Sequence, residues 1–174
     1  YIYIVIMSYT VLARKYRPQK LSELIGQDTL VKIITNSFRL NRIAHAFLLT
    51  GSRGIGKTST ARIIAKGLNC IEPSNNNLPT VDPCGKCETC ISITESRHID
   101  VIEMDAASRT GVSDVRDIID NIDYKTVYAR FKVYIIDEVH MLSNSAFNAL
   151  LKTLEEPPEP VSYTHLTLPT MDHV

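Results

Sequence analysis

A glycine-rich stretch in the first half of the chain has the residue types that hold phosphate. Residues 51–58 read Gly-Ser-Arg-Gly-Ile-Gly-Lys-Thr, a full match to the pattern G-x-x-x-x-G-K-[ST]. Glycines let backbone N–H groups curl around a phosphate, and the helix behind adds the positive end of its dipole. Lys57 would reach the β- and γ-phosphates, and the Thr58 hydroxyl would ligate Mg²⁺. We therefore predict nucleotide binding by Gly51, Ser52, Arg53, Gly54, Ile55, Gly56, Lys57, Thr58 and Ser59.

Two adjacent carboxylates follow a later apolar run. Asp137 and Glu138 come directly after residues 132–136, which read as a buried strand. Open α/β sheets place their ligands at such strand ends. An aspartate there can hold Mg²⁺ through its water shell, and a glutamate can polarise an attacking water. We predict a Mg²⁺ site at Thr58 and Asp137 and catalytic roles for Glu138 and Lys57, and we interpret His140 as a polar flank.

The four cysteines lie close together in sequence. Cys84, Cys87 and Cys90 form a C-x-x-C-x-x-C run, and Cys70 precedes it. Four thiolates make a closed tetrahedral zinc site, which is typical of a structural ion rather than a catalytic one. A redox C-x-x-C pair or plain buried cysteines are the alternatives. We predict structural zinc, with Cys70 as the least certain ligand because its spacer is long.

Composition limits the function classes. The chain has 174 residues, 44% hydrophobic and 22% charged, with zero formal net charge. A globular core is expected, and any nucleic-acid contact needs a local basic patch because there is no global positive field. No apolar run approaches the ~18 residues of a membrane helix. We predict a cytoplasmic protein without a membrane partner.

Apolar patterning supplies the elements that would position these residues. Strands are predicted at 46–50, 100–104 and 132–136, and helices at Lys57–Asn69 and around the apolar positions of 28–38, 112–122 and 147–154. Strands alternating with helices predict a three-layer α/β domain with a mostly parallel sheet.

The motifs together resemble one protein family over residues 7–159. Besides the phosphate loop, the cysteines and the acidic pair, the matching stretches are Tyr9, 11–18, 26–27, His45, 67–70, 105–110, 130–142 and 147–158. They closely resemble the gamma/tau subunits of bacterial DNA polymerase III, clamp-loader ATPases of the AAA+ class. The inserted zinc cluster is a specific marker within that class.

The resemblance implies the fold and a function. The fold is a P-loop NTPase (AAA+) domain with a small inserted zinc module. The function is that of the ATP-binding and hydrolysing motor that loads the sliding clamp onto primed DNA in DNA replication. The implied cofactors are ATP, Mg²⁺ and structural Zn²⁺, and the implied partners are other clamp-loader subunits, the clamp and primed DNA. Arg17 and Pro18 would lie near the adenine. Arg109 is either a DNA-phosphate contact or, as we favour, an ordinary solvated arginine.

The chain also departs from that family. We expect residues 1–6 to be a non-native leader before Met7, residues 7–160 to be a partial AAA+ domain with its zinc insertion at 70–90, and residues 161–174 to be a non-native tail. The family's next strand, Ser-Arg-Cys motif, lid and collar are not recognisable after Glu159, so we expect the domain to be incomplete at its C-terminus. Such a chain should bind nucleotide but hydrolyse it slowly, because an arginine supplied in trans is worth ~10³–10⁵ in related phosphoryl transfers.

Other functions fit the sequence less well. The main alternative is a hydrolysis-deficient nucleotide- and zinc-binding structural subunit or fragment, which a broken phosphate loop or acidic pair would favour; both are intact. A P-loop kinase would normally lack the Asp-Glu pair beside a four-cysteine insertion, and a helicase would need strand-tracking motifs. A zinc-dependent DNA reader is disfavoured because Lys86 is the one basic residue among the clustered cysteines.

Overall fold

Strands and helices alternate along the part of the chain that the structure describes. The computed structural model describes residues 12, 16–72, 78–108, 124–155 and 166–168. The helices are α1 (Asp28–Arg39), α2 (Lys57–Asn69), α3 (Glu88–Thr94) and α4 (Asn144–Glu155); the strands are β1 (Leu48–Thr50), β2 (Val101–Asp105), β3 (Val133–Asp137) and β4 (Leu166–Leu168). Short 3₁₀ turns cover Leu21–Glu23 and Val139–Met141. No described helix has the length and apolar composition to cross a membrane.

The described strands form one parallel sheet in the order β1-β4-β3-β2. Strands β2 and β3 pair over their whole length, which sets Asp105 beside Asp137 at the carboxyl edge. The predicted α/β class and parallel sheet are confirmed. The phosphate loop connects β1 to α2, and Asp137 is the last residue of β3. Both predicted motifs therefore reach the carboxyl edge of the sheet.

Two core clusters lie on opposite faces of the sheet. Val133 and Ile135 of β3 pack with buried residues of α1, α2 and α3. Ile136 packs with a second cluster that includes Leu150 of α4. Since neighbouring residues of a strand point to opposite faces, these contacts put helices on both sides of the sheet. This arrangement agrees with the predicted three layers.

The tail contains a strand that the sequence analysis did not expect. Residues Leu166–Leu168 form β4, which pairs with β1 through three residue pairs and with β3 through Ile136 and Leu166. The expectation that no strand follows Glu159 is therefore wrong. Three residues are too few for an alternation of apolar and polar side chains to indicate a strand. Without β4, the facing edges of β1 and β3 would have unpaired backbone N–H and C=O groups, which favours a strand between them. Whether residues 161–174 or 1–6 are native stays a prediction.

Most element bounds agree with the sequence pattern. The helix at Lys57–Asn69 is confirmed at both ends. The first strand is shorter than predicted and spans Leu48–Thr50. The other two strands are displaced by one residue towards their carboxyl ends. The predicted helix around 112–122 and Arg109 lie outside the described residues.

A buried carboxylate anchors the segment that leads into β3. Asp100 is 1% exposed, and its two oxygens accept hydrogen bonds from the backbone N–H groups of Val127, Tyr128 and Ala129 at 2.9, 2.7 and 2.8 Å. Burial raises the pKa of this carboxyl group, but the three donors outweigh burial, so its pKa lies below the ordinary value. Asp100 thus fixes the start of β3 against the start of β2.

Candidate functional site

The phosphate loop adopts a conformation that its glycines make possible. Gly51, Gly54 and Gly56 have φ of 140°, 86° and 94°, a range that residues other than glycine rarely adopt. The Lys57 ammonium folds back over the loop and donates to the carbonyls of Gly51 at 2.7 Å and Ser52 at 3.0 Å. Two loop carbonyls therefore hold the ammonium over the loop, next to the start of α2.

One hydrogen bond joins the phosphate loop to the acidic pair. Thr58 lies in the first turn of α2, and its hydroxyl donates to Asp137 Oδ2 at 2.8 Å across 79 residues of sequence. The other oxygen of Asp137 accepts the backbone N–H of Glu138 at 3.1 Å. The hydroxyl and carboxylate predicted to share a Mg²⁺ ion are thus already in contact.

Glu138 lies at the rim of the site in an uncommon backbone conformation. Its φ of 53° and ψ of 41° are left-handed, a strained state for a non-glycine residue that is frequent at functional sites. Its carboxylate is 3.8 Å from the Arg53 guanidinium and 3.5 Å from His140 Nδ1. Arg53 is 95% exposed, so its ion pair with Glu138 contributes little stability. His140, expected to be a polar flank, contacts the predicted catalytic glutamate.

A cleft of about 520 Å³ opens beside the acidic pair. Four carboxylates and one guanidinium are among its lining groups: Arg53, Ser96, Glu103, Met104, Asp105, Asp137 and Glu138. Such a set can hold a divalent cation together with phosphate oxygens.

A partly buried ion pair at the wall of this cleft was not predicted from the sequence. Arg62 of α2 donates to both oxygens of Glu103 of β2, at 2.8 Å from Nε and 2.6 Å from Nη2. The side chains are 18% and 23% exposed. The signal that could have revealed it is a glutamate inside an apolar strand, because a charge at such a position needs a partner. Ser96 also lies 3.3 Å from Glu103.

A second groove of about 310 Å³ borders the other side of the phosphate loop. Its lining includes Leu30, Ile33, Leu48, Ile55 and Lys57. This apolar surface next to the loop suits a flat ring. Arg17 and Pro18, predicted near the adenine, are not among the lining residues of either cavity. The following residue, Gln19, is instead hydrogen-bonded to Lys66 of α2, and the adenine contacts stay a prediction.

The four cysteines form one compact cluster. The sulfur atoms of Cys70, Cys84, Cys87 and Cys90 all lie within 4.8 Å of one another, and none is in a disulfide. A tetrahedral ion with Zn–S bonds of about 2.3 Å would place its sulfurs about 3.8 Å apart. The cluster therefore fits such an ion after small adjustments. Cys70, the least certain ligand by sequence, lies with the other three.

Backbone N–H groups point at the sulfur atoms. The N–H groups of Lys86 and Cys87 donate to the Cys84 sulfur at 3.4 and 3.3 Å, and that of Cys90 donates to Cys87 at 3.4 Å. Burial raises the pKa of the Cys84 thiol, yet these donors outweigh burial and bring it to about 7. Burial raises the pKa of Cys70 and Cys90. Donors of this kind favour thiolates, the form that binds metal.

The cysteine cluster and the phosphate loop lie at opposite ends of α2. Lys57 is its first residue, and Cys70 immediately follows its last. At 1.5 Å per residue the two are about 20 Å apart along the axis. An ion at the cysteines would therefore lie too far from the loop to act on a nucleotide there.

Close backbone contacts hold Cys70 in place. A Cβ added at Gly67 would lie 2.5 Å from the Thr80 carbonyl oxygen, so the loop before the cysteine run packs directly on α2. Asn69 is fully buried; its amide donates to the Phe131 carbonyl at 3.0 Å and accepts the Phe131 N–H at 2.9 Å. The stretch 67–70, noted above for its resemblance, thus joins α2 to the cysteine loop and to the start of β3.

A family model described as "DNA polymerase III, delta subunit" matches residues 26–170. The chain belongs to this family of DNA polymerase III subunits. The match covers the phosphate loop, the cysteine cluster, the acidic pair and β4. The roles of Lys57, Thr58, Asp137 and Glu138 stay predictions, although the structure brings all four residues to one edge of the sheet.

Curated DNA polymerase III subunits of several bacteria are similar to the chain. It is 55% identical over 157 residues to subunit tau/gamma of Haemophilus influenzae and to subunit tau of Escherichia coli K12. It is 54% identical over 161 residues to subunit gamma of Buchnera aphidicola from Acyrthosiphon pisum. These matches cover 90–92% of this chain, but only 22%, 24% and 43% of the three relatives. The resemblance to the gamma/tau subunits is confirmed.

Proposed function

We propose that this chain carries the ATP-binding and hydrolysing site of a clamp-loader motor of the AAA+ class, which loads a sliding clamp onto primed DNA during DNA replication. The observation that carries the proposal is the 2.8 Å hydrogen bond between Thr58 and Asp137. It unites a phosphate loop with a strand-end aspartate, the two parts of a Mg²⁺–nucleotide site. The tau and gamma names of its relatives support the replication role.

Each residue has a distinct task in this proposal. The N–H groups of the loop and the Lys57 ammonium would bind the phosphates, and Thr58 with Asp137 would hold Mg²⁺, which neutralises charge developing on the phosphates. Glu138 would orient the attacking water and accept its proton. The carboxylate lies on the cleft wall next to Asp137, as this task requires. The apolar groove beside the loop would receive the base.

The four-cysteine cluster is proposed to hold structural Zn²⁺. The thiolate ligand set, the mutual distances and the absence of disulfides among these cysteines support this choice. The ion would fix α3, a helix of seven residues, against the end of α2. Other clamp-loader subunits, the sliding clamp and primed DNA are the proposed partners of the complete protein.

Titration with ATP in Mg²⁺ and in EDTA tests the nucleotide site. We expect Mg²⁺ to tighten ATP binding by the unaltered chain, and we expect Thr58→Ala and Asp137→Asn each to remove most of that gain. Ser22→Ala, which removes an exposed hydroxyl that no prediction assigns to the ion, is the control. Equal Mg²⁺ dependence in all four proteins would contradict the shared ion site.

Hydrolysis separates the motor from its main alternative, a nucleotide-binding subunit without turnover. Glu138→Gln should retain ATP binding and lose about 10²–10⁴-fold in turnover if the carboxylate is the base. Phosphate release is measured for both proteins, alone and with a complete set of partner subunits. A chain that binds ATP but shows the same phosphate release with and without Glu138 would favour the alternative.

A further inference from the structure

Arg130 is a buried cation with an unused donor beside the cysteine cluster. Its Nε donates to the Leu68 carbonyl at 2.9 Å, and its Nη2 donates to the Cys70 carbonyl at 2.6 Å. The third nitrogen, Nη1, is buried and has no hydrogen-bond partner among the residues that the structure describes. Buried guanidinium N–H groups are almost always paired, so this nitrogen calls for an acceptor.

The cysteine cluster is the neighbouring source of acceptors, because Nη2 of the same guanidinium already contacts the Cys70 carbonyl at 2.6 Å and Cys70 belongs to the cluster. Burial lowers the pKa of Arg130, and charge on Cys70 and Cys87 raises it, in keeping with a guanidinium next to the cysteines. Sulfur of a metal-bound thiolate carries negative charge and accepts N–H donors. A guanidinium already held at two carbonyls can meet it without losing further side-chain freedom.

Lys66 is a second buried cation near the cluster. It is 2% exposed, and its ammonium donates to the backbone and side-chain oxygens of Gln19 at 3.2 and 2.7 Å. Thr94 of α3 contacts the same Gln19 side chain and donates to the Cys90 carbonyl at 2.8 Å. Burial lowers the pKa of Lys66, and charge on Cys90 raises it. Through Gln19 and Thr94, hydrogen bonds therefore connect the lysine to α3 beside Cys90.

The charges balance when a divalent ion is present. Four thiolates and one Zn²⁺ carry a net charge of −2, and Arg130 with Lys66 supplies +2. Cys70 and Cys90 are both fully buried. An uncompensated double charge at such a place would be costly, and two fixed cations remove most of that cost. The remaining lysine of the module, Lys86, is exposed.

We propose that Arg130 and Lys66 are the built-in charge partners of the four-cysteine metal site, with Arg130 Nη1 donating to a metal-bound thiolate. Both act through the ligands and are positioning residues. The inference rests on the proposed zinc site. The hydrogen bonds of Arg130 and of Asn69 already tie the start of β3 to the end of α2, where the cysteine module begins.

Metal affinity of the full chain tests this inference. The chain is stripped of metal under reducing conditions and titrated with Zn²⁺ against a chromophoric chelator, and with Co²⁺ for its thiolate spectrum. Arg130→Met should bind Zn²⁺ about 10–100-fold more weakly, the usual cost of losing a partner of a metal ligand. Lys66→Met should also weaken binding, and Arg130→Lys should fall between Arg130→Met and the unaltered chain.

Lys132→Met is the matched control. This lysine is also a buried cation at the start of β3, 8% exposed, but its ammonium contacts the Tyr124 carbonyl at 3.3 Å and two tyrosine rings. Lys132→Met should change zinc affinity by less than about twofold, because the contacts of Lys132 named here include none of the proposed metal ligands, and it is partners of the ligands that affect metal affinity. The Co²⁺–thiolate charge-transfer band should shift in Arg130→Met and stay unchanged in Lys132→Met.

The outcomes separate this inference from the zinc site itself. If the unaltered chain binds no Zn²⁺, the proposed zinc site fails. If it binds one Zn²⁺ per chain and Arg130→Met and Lys66→Met bind equally well, the charge-partner inference is overturned while the zinc site stands. If Arg130→Met does not fold, judged by circular dichroism, Arg130→Lys and Lys66→Met decide in its place.

Discussion

Replacing Asp100 by asparagine should loosen the segment that carries Arg130. The carboxylate is buried, with Oδ1 bonded to Val127 N–H and Oδ2 bonded to the N–H groups of Tyr128 and Ala129. The asparagine oxygen can keep two of these bonds as neutral ones, while its NH₂ group faces the third N–H without an acceptor. The side chain keeps its size, so the change isolates charge and hydrogen bonding.

The size of the effect follows from these three bonds. A hydrogen bond to a charged group contributes about 1.5–3 kcal/mol and a neutral one about 0.5–1.5 kcal/mol. Asp100→Asn loses one charged bond and weakens two by about 1 kcal/mol each, which predicts a loss of about 3–5 kcal/mol. That is a large part of the roughly 5–15 kcal/mol that a domain of this size possesses.

Urea unfolding of Asp100→Asn and the unaltered chain measures this difference. Because the folded pKa of Asp100 is lowered, its stabilisation is fully present above the ordinary value of 3.8 and is lost as pH falls through the folded pKa. The difference in free energy of unfolding between the two proteins should therefore stay constant from pH 7 to about 5 and begin to decrease near pH 4. The exposed Asp82→Asn is the control, with an expected change below about 0.5 kcal/mol. A loss under about 1 kcal/mol for Asp100→Asn would refute the reasoning.

Three further outcomes are expected from the same structure. Gly67→Ala should cost about 1–3 kcal/mol in urea unfolding, because its Cβ would lie 2.5 Å from the Thr80 carbonyl; an unchanged midpoint would contradict that close approach. Arg62→Met and Glu103→Gln should each destabilise by about 1–3 kcal/mol, because the pair is only partly buried, and the double variant should lose clearly less than their sum. Chelation of zinc should speed hydrogen exchange in α3, since seven residues make a marginal helix alone, while β3 stays protected. Equal exchange in α3 with and without metal would argue against a structural ion.

The conformation of the glycine-rich loop and the helix after it were predictable because their signals are local. The loop, the helix start at Lys57 and the apolar strand before them lie within short windows where residue type and spacing carry the information. Asp137 was predictable because parallel strands end at a common edge. The same reasoning identified the four cysteines, whose ligand count is visible in the sequence.

The pairs that support these sites were not predictable from one sequence. Arg62 and Glu103 are 41 residues apart, and Arg130 lies 62 residues from Leu68. Neither hydrophobic periodicity nor residue spacing indicates which residues that are distant in sequence form an ion pair or a hydrogen bond. Strand β4 was missed for a related reason: its partners are fixed by the sheet order and its three residues show no pattern.

The most direct test of the account is an equilibrium titration of the chain with Mg²⁺–ATP, compared with Lys57→Ala. We expect saturable binding at one site per chain and loss of most of that affinity in the variant, since the Lys57 ammonium is held over the loop by two of its carbonyls. Lys32→Ala, an exposed lysine of α1, should bind like the unaltered chain. Binding that is equally tight in all three proteins, or no binding by the unaltered chain, would contradict the nucleotide site.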